Sequence, residues 1–162
     1  MSEEQRPEVV RHWWSMAEES LASARRELDA GACSFAVNRL YYSAFYGVSA
    51  ALFERHLHSS KHSGVRAFFH REFIKTGLLE VQWGKLYDRL FEDRQEGDYI
   101  AMTLFEPEYV EAQWGLCQQF LAALRPWEEG DREVSLEELG EGGYDGAAFG
   151  RFYHEQKYGK GS

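Results

Sequence analysis

The sequence lacks the residue patterns of several common catalytic and metal centres. Its two cysteines, Cys33 and Cys117, are too few for a disulfide framework and lack the spacing of a zinc site. It has no Gly-rich phosphate-binding loop and no Gly-x-Ser-x-Gly turn, which argues against a P-loop nucleotidase and a serine hydrolase. The two Glu-x-x-His pairs of a di-iron bundle are also absent. We therefore expect no metal site and no cofactor.

The sequence is also poor in positive charge and in long apolar segments. Its net charge is −9, so we expect no broad nucleic-acid-binding surface, and any contact with RNA must be local. The first 14 residues are charged and lack the apolar run of a secretory signal. The most apolar stretch contains an arginine and several tyrosine hydroxyls, which are costly in lipid. These observations predict a cytoplasmic protein without a membrane segment.

That apolar stretch runs from Ser34 to Phe53 and organises the rest of the chain. Its aliphatic residues recur at helical spacing, and aromatic residues fill much of the remaining circumference. A helix that is apolar on most sides is buried, so the pattern predicts the central helix of a bundle. Ser34 is suited to cap its N-terminus.

Four further amphipathic segments predict the other helices. Their expected boundaries are Pro7 to Gly31, Ser63 to Gly77, Leu79 to Gly97 and Pro107 to Pro126. Connections of this length favour an all-α antiparallel bundle of about five helices over residues 1–125. Residues 126–162 hold eight of the 15 glycines and nine acidic against four basic residues. They predict a loosely ordered, acidic, Gly-rich C-terminal tail that also carries aromatic residues.

Arg39 is the unusual residue of the central helix. Ser43 and Tyr46 share its stripe, and Asn38 and Tyr42 lie beside it. An arginine in a buried helix needs a carboxylate, a phosphate or water. It either forms an interior ion pair, with Asp93 or Asp98 as the candidate partner, or it binds an anion in a cleft or at a dimer interface. The sequence leaves both interpretations open.

Two other polar segments are candidate ligand-binding sites. Arg94, Asp98 and Tyr99 lie where the fourth helix is expected to end, from which they can face Arg39 across the bundle. Residues 55–75 form the one basic segment of the chain, with five Lys and Arg residues, four histidines and a single acid. Such a segment suits a phosphate backbone, but both segments are equally typical of helix ends and solvated surfaces. The candidates in the basic segment are Lys61, Arg66 and His70, and the last two are four residues apart, which predicts that they share a helix face.

Three stretches together resemble the HEPN-domain family, in order and with similar spacing over residues 10–125. They are NRLYYSAFYGVSAALF, KHSGVRAFFHREFIKTG and LYDRLFEDRQEGDY. The closest similarity is to small stand-alone bacterial and archaeal members. The resemblance implies a helical bundle that commonly dimerises. It also implies an RNA-cleaving toxin or defence role, often with a minimal nucleotidyltransferase as antitoxin.

The resemblance also implies a metal-independent ribonuclease motif, in which four to six residues separate an arginine from a following histidine. In this branch of the family the histidine is expected seven positions after Arg39, where this sequence has Tyr46. A tyrosine with a pKa near ~10 donates a hydrogen bond to phosphate but is a poor base at neutral pH. The motif is therefore degenerate here.

Three functional hypotheses follow. The first is a toxin–antitoxin or defence-type module that binds RNA, a nucleotide or a nucleotidyltransferase partner through Arg39, Tyr46 and the basic segment. The second is an active metal-independent endoribonuclease that uses Arg39 with His62 as its histidine. The third is a helical interaction protein without a ligand. We expect a homodimer in each case, because Trp13, Trp14 and Trp114 are more large aromatics than one short bundle easily hides.

Overall fold

The computed structural model describes residues 5–99 and 104–125, apart from the side chains of residues 96–99. Within these ranges the chain forms five α-helices and no β-strand, which confirms the predicted all-α bundle. The helices are α1 (Arg6–Asp29), α2 (Cys33–Glu54), α3 (His62–Phe69), α4 (Val81–Tyr99) and α5 (Pro107–Leu124). None of them is long and apolar enough to cross a bilayer. The predicted tail, residues 126–162, lies outside the described residues.

α2 is the centre of the bundle, as its apolar circumference predicted. Eleven of its 22 residues are buried, against six of 24 in α1. Burial of each Leu or Val side chain contributes about 1.5–3 kcal/mol, so this helix carries a large share of the core. The buried hydroxyl of Ser43 on α2 donates a hydrogen bond of 2.8 Å to the carbonyl of Ala17 on α1. The polar group therefore costs little in the core.

α1 and α2 pack antiparallel around a tight turn. Arg6 donates to the carbonyl of Phe53, and further along α1 the carbonyl of Ala17 accepts from Ser43, so one helix ascends as the other descends. Gly31 reverses the chain with φ +80°, which only glycine adopts readily. At Gly47 the bundle is packed so closely that a Cβ would lie 2.6 Å from Leu121 Cδ2. A larger residue at this position therefore requires the side chain of Leu121 to shift.

α5 runs parallel to α2 and antiparallel to α4. The Cys117 thiol lies 3.7 Å from the Leu40 carbonyl, and Leu124, two turns on, lies beside Gly47. Against α4, Phe120 packs on Trp83 near one end, and Tyr109 donates a hydrogen bond to Asp93 near the other. α2 is therefore enclosed by α1, α4 and α5.

α3 continues directly into a π-helical turn, His70–Ile74, which the sequence did not predict. The amide of Lys75 donates to the carbonyl of His70 at 2.8 Å, five residues back. The segment then stops where predicted, at Gly77 with φ +77°. Turns of this type are frequent at functional sites, and this one begins at a histidine that contacts α4.

Two predicted capping residues were wrong, and α4 begins at Val81 rather than at Leu79. Ser34 does not cap α2, because the helix already begins at Cys33, with Ala32 at the cap and no side-chain cap bond. Gly97 does not close α4, which continues to Tyr99. A glycine inside a helix costs only about 1 kcal/mol relative to alanine, so it need not end the helix.

Candidate functional site

The centre of the candidate site is the ring of Tyr42 on α2. The guanidinium carbon of Arg39 lies 5.6 Å from its centroid, and that of Arg94, from α4, lies 5.4 Å away. Both distances are within the range of cation–π attraction. Two arginines from separate helices therefore meet at one tyrosine. We call the surface formed by these three residues the Arg–Tyr face.

Arg39 is exposed, and the interior ion-pair interpretation is wrong. Its Nε and Nη2 donate to the Asn38 side-chain oxygen at 3.1 and 2.6 Å. No carboxylate whose position is described contacts it, and Asp93 is buried on the other side of α4 against Tyr109. The sequence pattern predicted burial of Arg39 because α2 is apolar on most sides. In the structure one narrow stripe of α2 is exposed to solvent, and Phe35 and Arg39, one turn apart, lie on it.

Arg94 reaches the stripe of Arg39 from across the bundle. It is half-buried, and its Nη2 donates to the Tyr42 hydroxyl at 3.2 Å. Its guanidinium carbon also lies 5.5 Å from the ring centroid of Tyr41. The side chains of Asp98 and Tyr99, predicted beside it, lie outside the described part of the chain.

His62 is held against the same helix by two contacts. Its ring is stacked on Phe45, with centroids 4.3 Å apart and planes within 10°. Its Nδ1 and the Tyr41 hydroxyl are joined by a hydrogen bond of 2.7 Å. Burial, and then the charge of Arg94, hold the pKa of His62 below its ordinary value. The imidazole is therefore neutral at pH 7 and available as a base.

The hydroxyl of Tyr41 keeps its proton at neutral pH. Burial raises the pKa of Tyr41 to about 12. A phenol both donates and accepts, so Tyr41 can hold either neutral tautomer of His62. The ring nitrogen that remains, Nε2, makes no hydrogen bond to a described residue and is free to meet a ligand.

Tyr46, the position where the family resemblance implies histidine, lies beside this cluster. Its ring is stacked on Trp13 of α1, with centroids 5.6 Å apart, and lies 5.8 Å from Tyr42. Its hydroxyl makes no hydrogen bond to a described residue. Arg39 and His62 are not in contact with each other, and Arg94 is the arginine whose charge acts on His62.

Arg66 and His70 form a second cluster, separate from the Arg–Tyr face. As their spacing predicted, they share a face, and both meet Asp88 of α4, at 2.8 and 2.9 Å. Arg66 also lies 4.7 Å above the ring of Phe91. Asp88 therefore offsets the charge of one of the five Lys and Arg residues in the basic segment. Lys61 is exposed, and its ammonium group makes no ion pair with a described residue.

Sequence reasoning did not find the roles of Tyr41 and Asp88. The sequence pattern indicates only that Tyr41 is a buried aromatic residue of α2, and it gives no sign of a polar partner. Asp88 has the spacing of an ordinary exposed acid on α4. The one available signal was the Arg66–His70 pair, because two side chains that can donate hydrogen bonds on one helical face favour an acceptor opposite them.

Comparison with known proteins gives a consistent result. The model of the HEPN domain matches residues 10–127. A protein of Thermotoga maritima named "UPF0332 protein" is 42% identical over 120 residues, which cover 74% of this chain and 91% of that protein. A Methanocaldococcus jannaschii protein named "Putative toxin" is 38% identical over 95 residues, 59% of this chain and 65% of that protein.

A second Methanocaldococcus jannaschii protein with the name "Putative toxin" is 31% identical over 93 residues, which cover 57% of this chain and 69% of that protein. The segment matched by the family covers α2 to α5, most of α1 and the Arg–Tyr face. It spans well over half of the chain and agrees with the stretches that carried the resemblance. The chain belongs to the HEPN-domain family.

Proposed function

We propose that this chain is a toxin-like HEPN module that binds RNA on its Arg–Tyr face. The observation that carries the proposal is the exposure of Arg39, which contacts an amide and an aromatic ring but no described carboxylate. An exposed guanidinium without a carboxylate partner is ready to hold a phosphate in its planar fork. The names of two relatives support the toxin-like part of the proposal.

The aromatic residues favour RNA over an isolated anion. Single-stranded RNA is bound by a positive groove for the backbone and by aromatic rings for the bases. Here Tyr42 and Tyr46 lie next to each other, with Arg39 and Arg94 at one end of the pair and Trp13 at the other. In a chain of net charge −9, the binding is local, and Tyr46 supplies a hydrogen-bond donor rather than a base.

A binding assay with RNA that cannot be cleaved tests the proposal. Fluorescence anisotropy with a short single-stranded 2′-O-methyl RNA should show binding that weakens as salt rises. Arg39→Ala should weaken that binding about 10- to 150-fold, because a charge-assisted hydrogen bond contributes about 1.5–3 kcal/mol. Arg26→Ala, at an exposed arginine near the end of α1, is the matched control and should bind normally. Equal affinities of both variants would overturn the proposal.

A second candidate is a metal-independent endoribonuclease, favoured by the His62–Tyr41 hydrogen bond. A neutral imidazole can take the proton of an attacking 2′-hydroxyl, while an arginine stabilises the charge that develops on the phosphate. The geometry favours Arg94 over Arg39 as that arginine. Cleavage of unmodified RNA in EDTA that is lost in His62→Ala would support this function. No cleavage by the unaltered protein would rule it out.

A homodimer, a minimal nucleotidyltransferase partner and a cytoplasmic location remain proposals that rest on the family. The tryptophan argument for a dimer is wrong, because these residues find partners within the chain. Trp14 is buried, Trp13 stacks on Tyr46, and the indole of Trp114 donates to the Leu21 carbonyl at 3.0 Å. Sedimentation at micromolar concentration tests the dimer directly.

A further inference from the structure

A pocket lies beside the Arg–Tyr face, between the first half of α1, the second half of α2 and the segment that leads into α3. Its volume is about 290 Å³. Ligand pockets for drug-sized molecules start at about 300 Å³, so this one has room for a single small ring system. Its principal lining residues are Trp13, Phe45, Ser49, His58, Ser59 and His62.

The walls of the pocket combine flat aromatic surfaces with hydroxyl groups. Trp13, Phe45 and His62 contribute rings, and Phe45 and His62 are already stacked on each other at 4.3 Å. The serines at positions 49, 59 and 60 contribute polar edges. No acidic residue is among the lining residues, so a cationic ligand would find no counter-charge there. A nucleobase has the matching chemistry, with two π faces and an edge of donors and acceptors.

The pocket is continuous with the arginines through two adjacent rings. Trp13 lines the pocket and stacks on Tyr46, which lies 5.8 Å from Tyr42, the ring that Arg39 and Arg94 both contact. A ligand with a base in the pocket and phosphate on the arginines therefore follows one surface of α2. A bare base would leave the arginines unused, and a bare phosphate would leave the pocket empty.

His62 gives the pocket a specific polar contact. Its Nδ1 is already engaged by Tyr41, so Nε2 is the nitrogen that remains for a ligand. With its ring fixed by stacking on Phe45, His62 presents one hydrogen-bonding group at a defined position. This is the arrangement expected of a site that recognises the edge of a base.

We propose that this pocket is a subsite for one unpaired nucleobase whose attached phosphate lies on the Arg–Tyr face. The inference rests on the proposed RNA-binding function and deepens it, since it names the group that the site recognises, a single unpaired base. A paired base cannot enter, because its edge is already occupied and its faces are stacked. The base comes either from an RNA strand or from a free mononucleotide.

The experiment compares five probes by anisotropy competition with the full chain. They are a single-stranded 2′-O-methyl RNA, the same strand with abasic sites, the same sequence as a blunt duplex, and adenosine and uridine monophosphates. The single strand should bind best, and its abasic form should bind about 5- to 150-fold more weakly, the range for loss of one stacked base. Monophosphates that compete as well as the strand would identify the free nucleotide as the source.

A pocket-filling variant gives the second arm. Ser49→Phe places a ring in the pocket and should weaken the intact strand to the affinity of the abasic strand, which should itself be unaffected. Ser15→Phe, at an exposed serine of α1, is the matched control and should change neither affinity. Circular dichroism checks that each variant is folded. The abasic probe tests the pocket on the unaltered protein, so that arm does not depend on the folding of a variant.

The outcomes separate the two proposals. Suppose that the intact strand binds through Arg39, that the abasic strand and the duplex bind equally tightly, and that Ser49→Phe does not weaken binding. The pocket inference is then overturned and the RNA-binding function stands. If neither the strand nor the monophosphates bind, both are overturned. A loss on abasic substitution together with a matching loss in Ser49→Phe supports the subsite.

Discussion

His62 and Tyr41 are joined by a hydrogen bond of 2.7 Å between an imidazole nitrogen and a phenol oxygen. The bond fixes His62, the first residue of α3, to the central helix, and it places a titratable group at the edge of the core. Because Tyr41 is buried and keeps its proton, the state of the contact depends on His62 alone. The contact should therefore respond to pH.

The first prediction is that the folded state loses stability as acid is added. Burial and Arg94 lower the pKa of His62 in the folded state, whereas the unfolded chain titrates near ~6.5. Below that value the unfolded chain binds more protons, so the free energy of unfolding falls until the folded-state pKa is passed. Above a pH of ~6.5, the contribution of His62 to the free energy of unfolding is fully present.

Urea unfolding at a series of pH values measures this effect. His62→Gln cannot titrate at this position, so the difference in unfolding free energy between the unaltered protein and the variant should shrink as the pH falls below about 6.5. A difference that stays constant down to about pH 5 would show that the pKa of His62 is not lowered by folding.

The second prediction concerns the two arginines of the Arg–Tyr face. Arg39 is exposed, so Arg39→Ala should change the free energy of unfolding by about 0.5 kcal/mol or less. Arg94 is half-buried and bonded to Tyr42, so Arg94→Ala should cost about 1–2 kcal/mol. Urea unfolding of both variants checks the contrast. A loss of about 3–5 kcal/mol in the free energy of unfolding of Arg39→Ala would instead support the interior ion-pair interpretation.

These arginines show how far the sequence could predict the site. The apolar circumference of residues 34–53 was enough to place α2 at the centre, because helical periodicity is a local property. Which edge of α2 stays in solvent depends on where α1, α4 and α5 leave a gap. The exposure of Arg39 was therefore decided by packing, and the pattern of one helix could not supply it.

The same limit explains His62, Arg66 and His70. The 3.6-residue period was sufficient to predict that Arg66 and His70 share a face, but their partner Asp88 comes from another helix. His62 was a candidate because the implied ribonuclease motif needs a histidine as its base. Its contact with Tyr41, 21 residues away, depends on how the preceding loop folds back over α2. No local pattern encodes that path.

The third prediction uses two glycines as a matched pair. A Cβ added at Gly115, inside α5, would have no atom within 4 Å, whereas one added at Gly47 would meet Leu121 at 2.6 Å. Gly115→Ala should stabilise the chain by about 0.5–1 kcal/mol through helix propensity. Gly47→Ala should destabilise it, because overpacking costs about 1–3 kcal/mol. Thermal unfolding should show shifts of opposite sign, and equal upward shifts would mean that Leu121 moves aside freely.

The fourth prediction is that only one of the two cysteines reacts in the native protein. Cys117 is fully buried, and burial raises the pKa of its thiol to about 12, so it forms little of the reactive thiolate. Cys33 is partly exposed at the start of α2. A colorimetric thiol reagent should label one thiol per chain quickly and the second only after unfolding. Cys33→Ser should abolish the fast phase, and two equally fast thiols would contradict the packing of α5.

The last prediction restores the implied ribonuclease motif. Tyr46→His puts an imidazole two turns from Arg39 on the same stripe of α2, beside Tyr42 and Trp13. A base with a pKa near neutrality raises such reactions by about 10²–10⁴-fold, so the variant should gain or increase RNA cleavage in EDTA. Arg39→Ala added to Tyr46→His should remove that gain, because the phosphate would lose its cation. Tyr46→Phe keeps the ring without a base and is the matched control.

The result for the unaltered protein decides where the histidine of the motif lies. If it already cleaves RNA in EDTA, and Tyr46→Phe cleaves equally well, position 46 is not the lost catalytic position. His62 then becomes the base, since it is neutral at pH 7 and lies near Arg94, and His62→Ala should stop cleavage. Tyr41→Phe should in that case shift the acidic limb of the pH–rate profile, because it removes the hydrogen bond that orients the imidazole. An unchanged pH–rate profile in Tyr41→Phe would show that the hydrogen bond from Tyr41 plays no part in the action of His62.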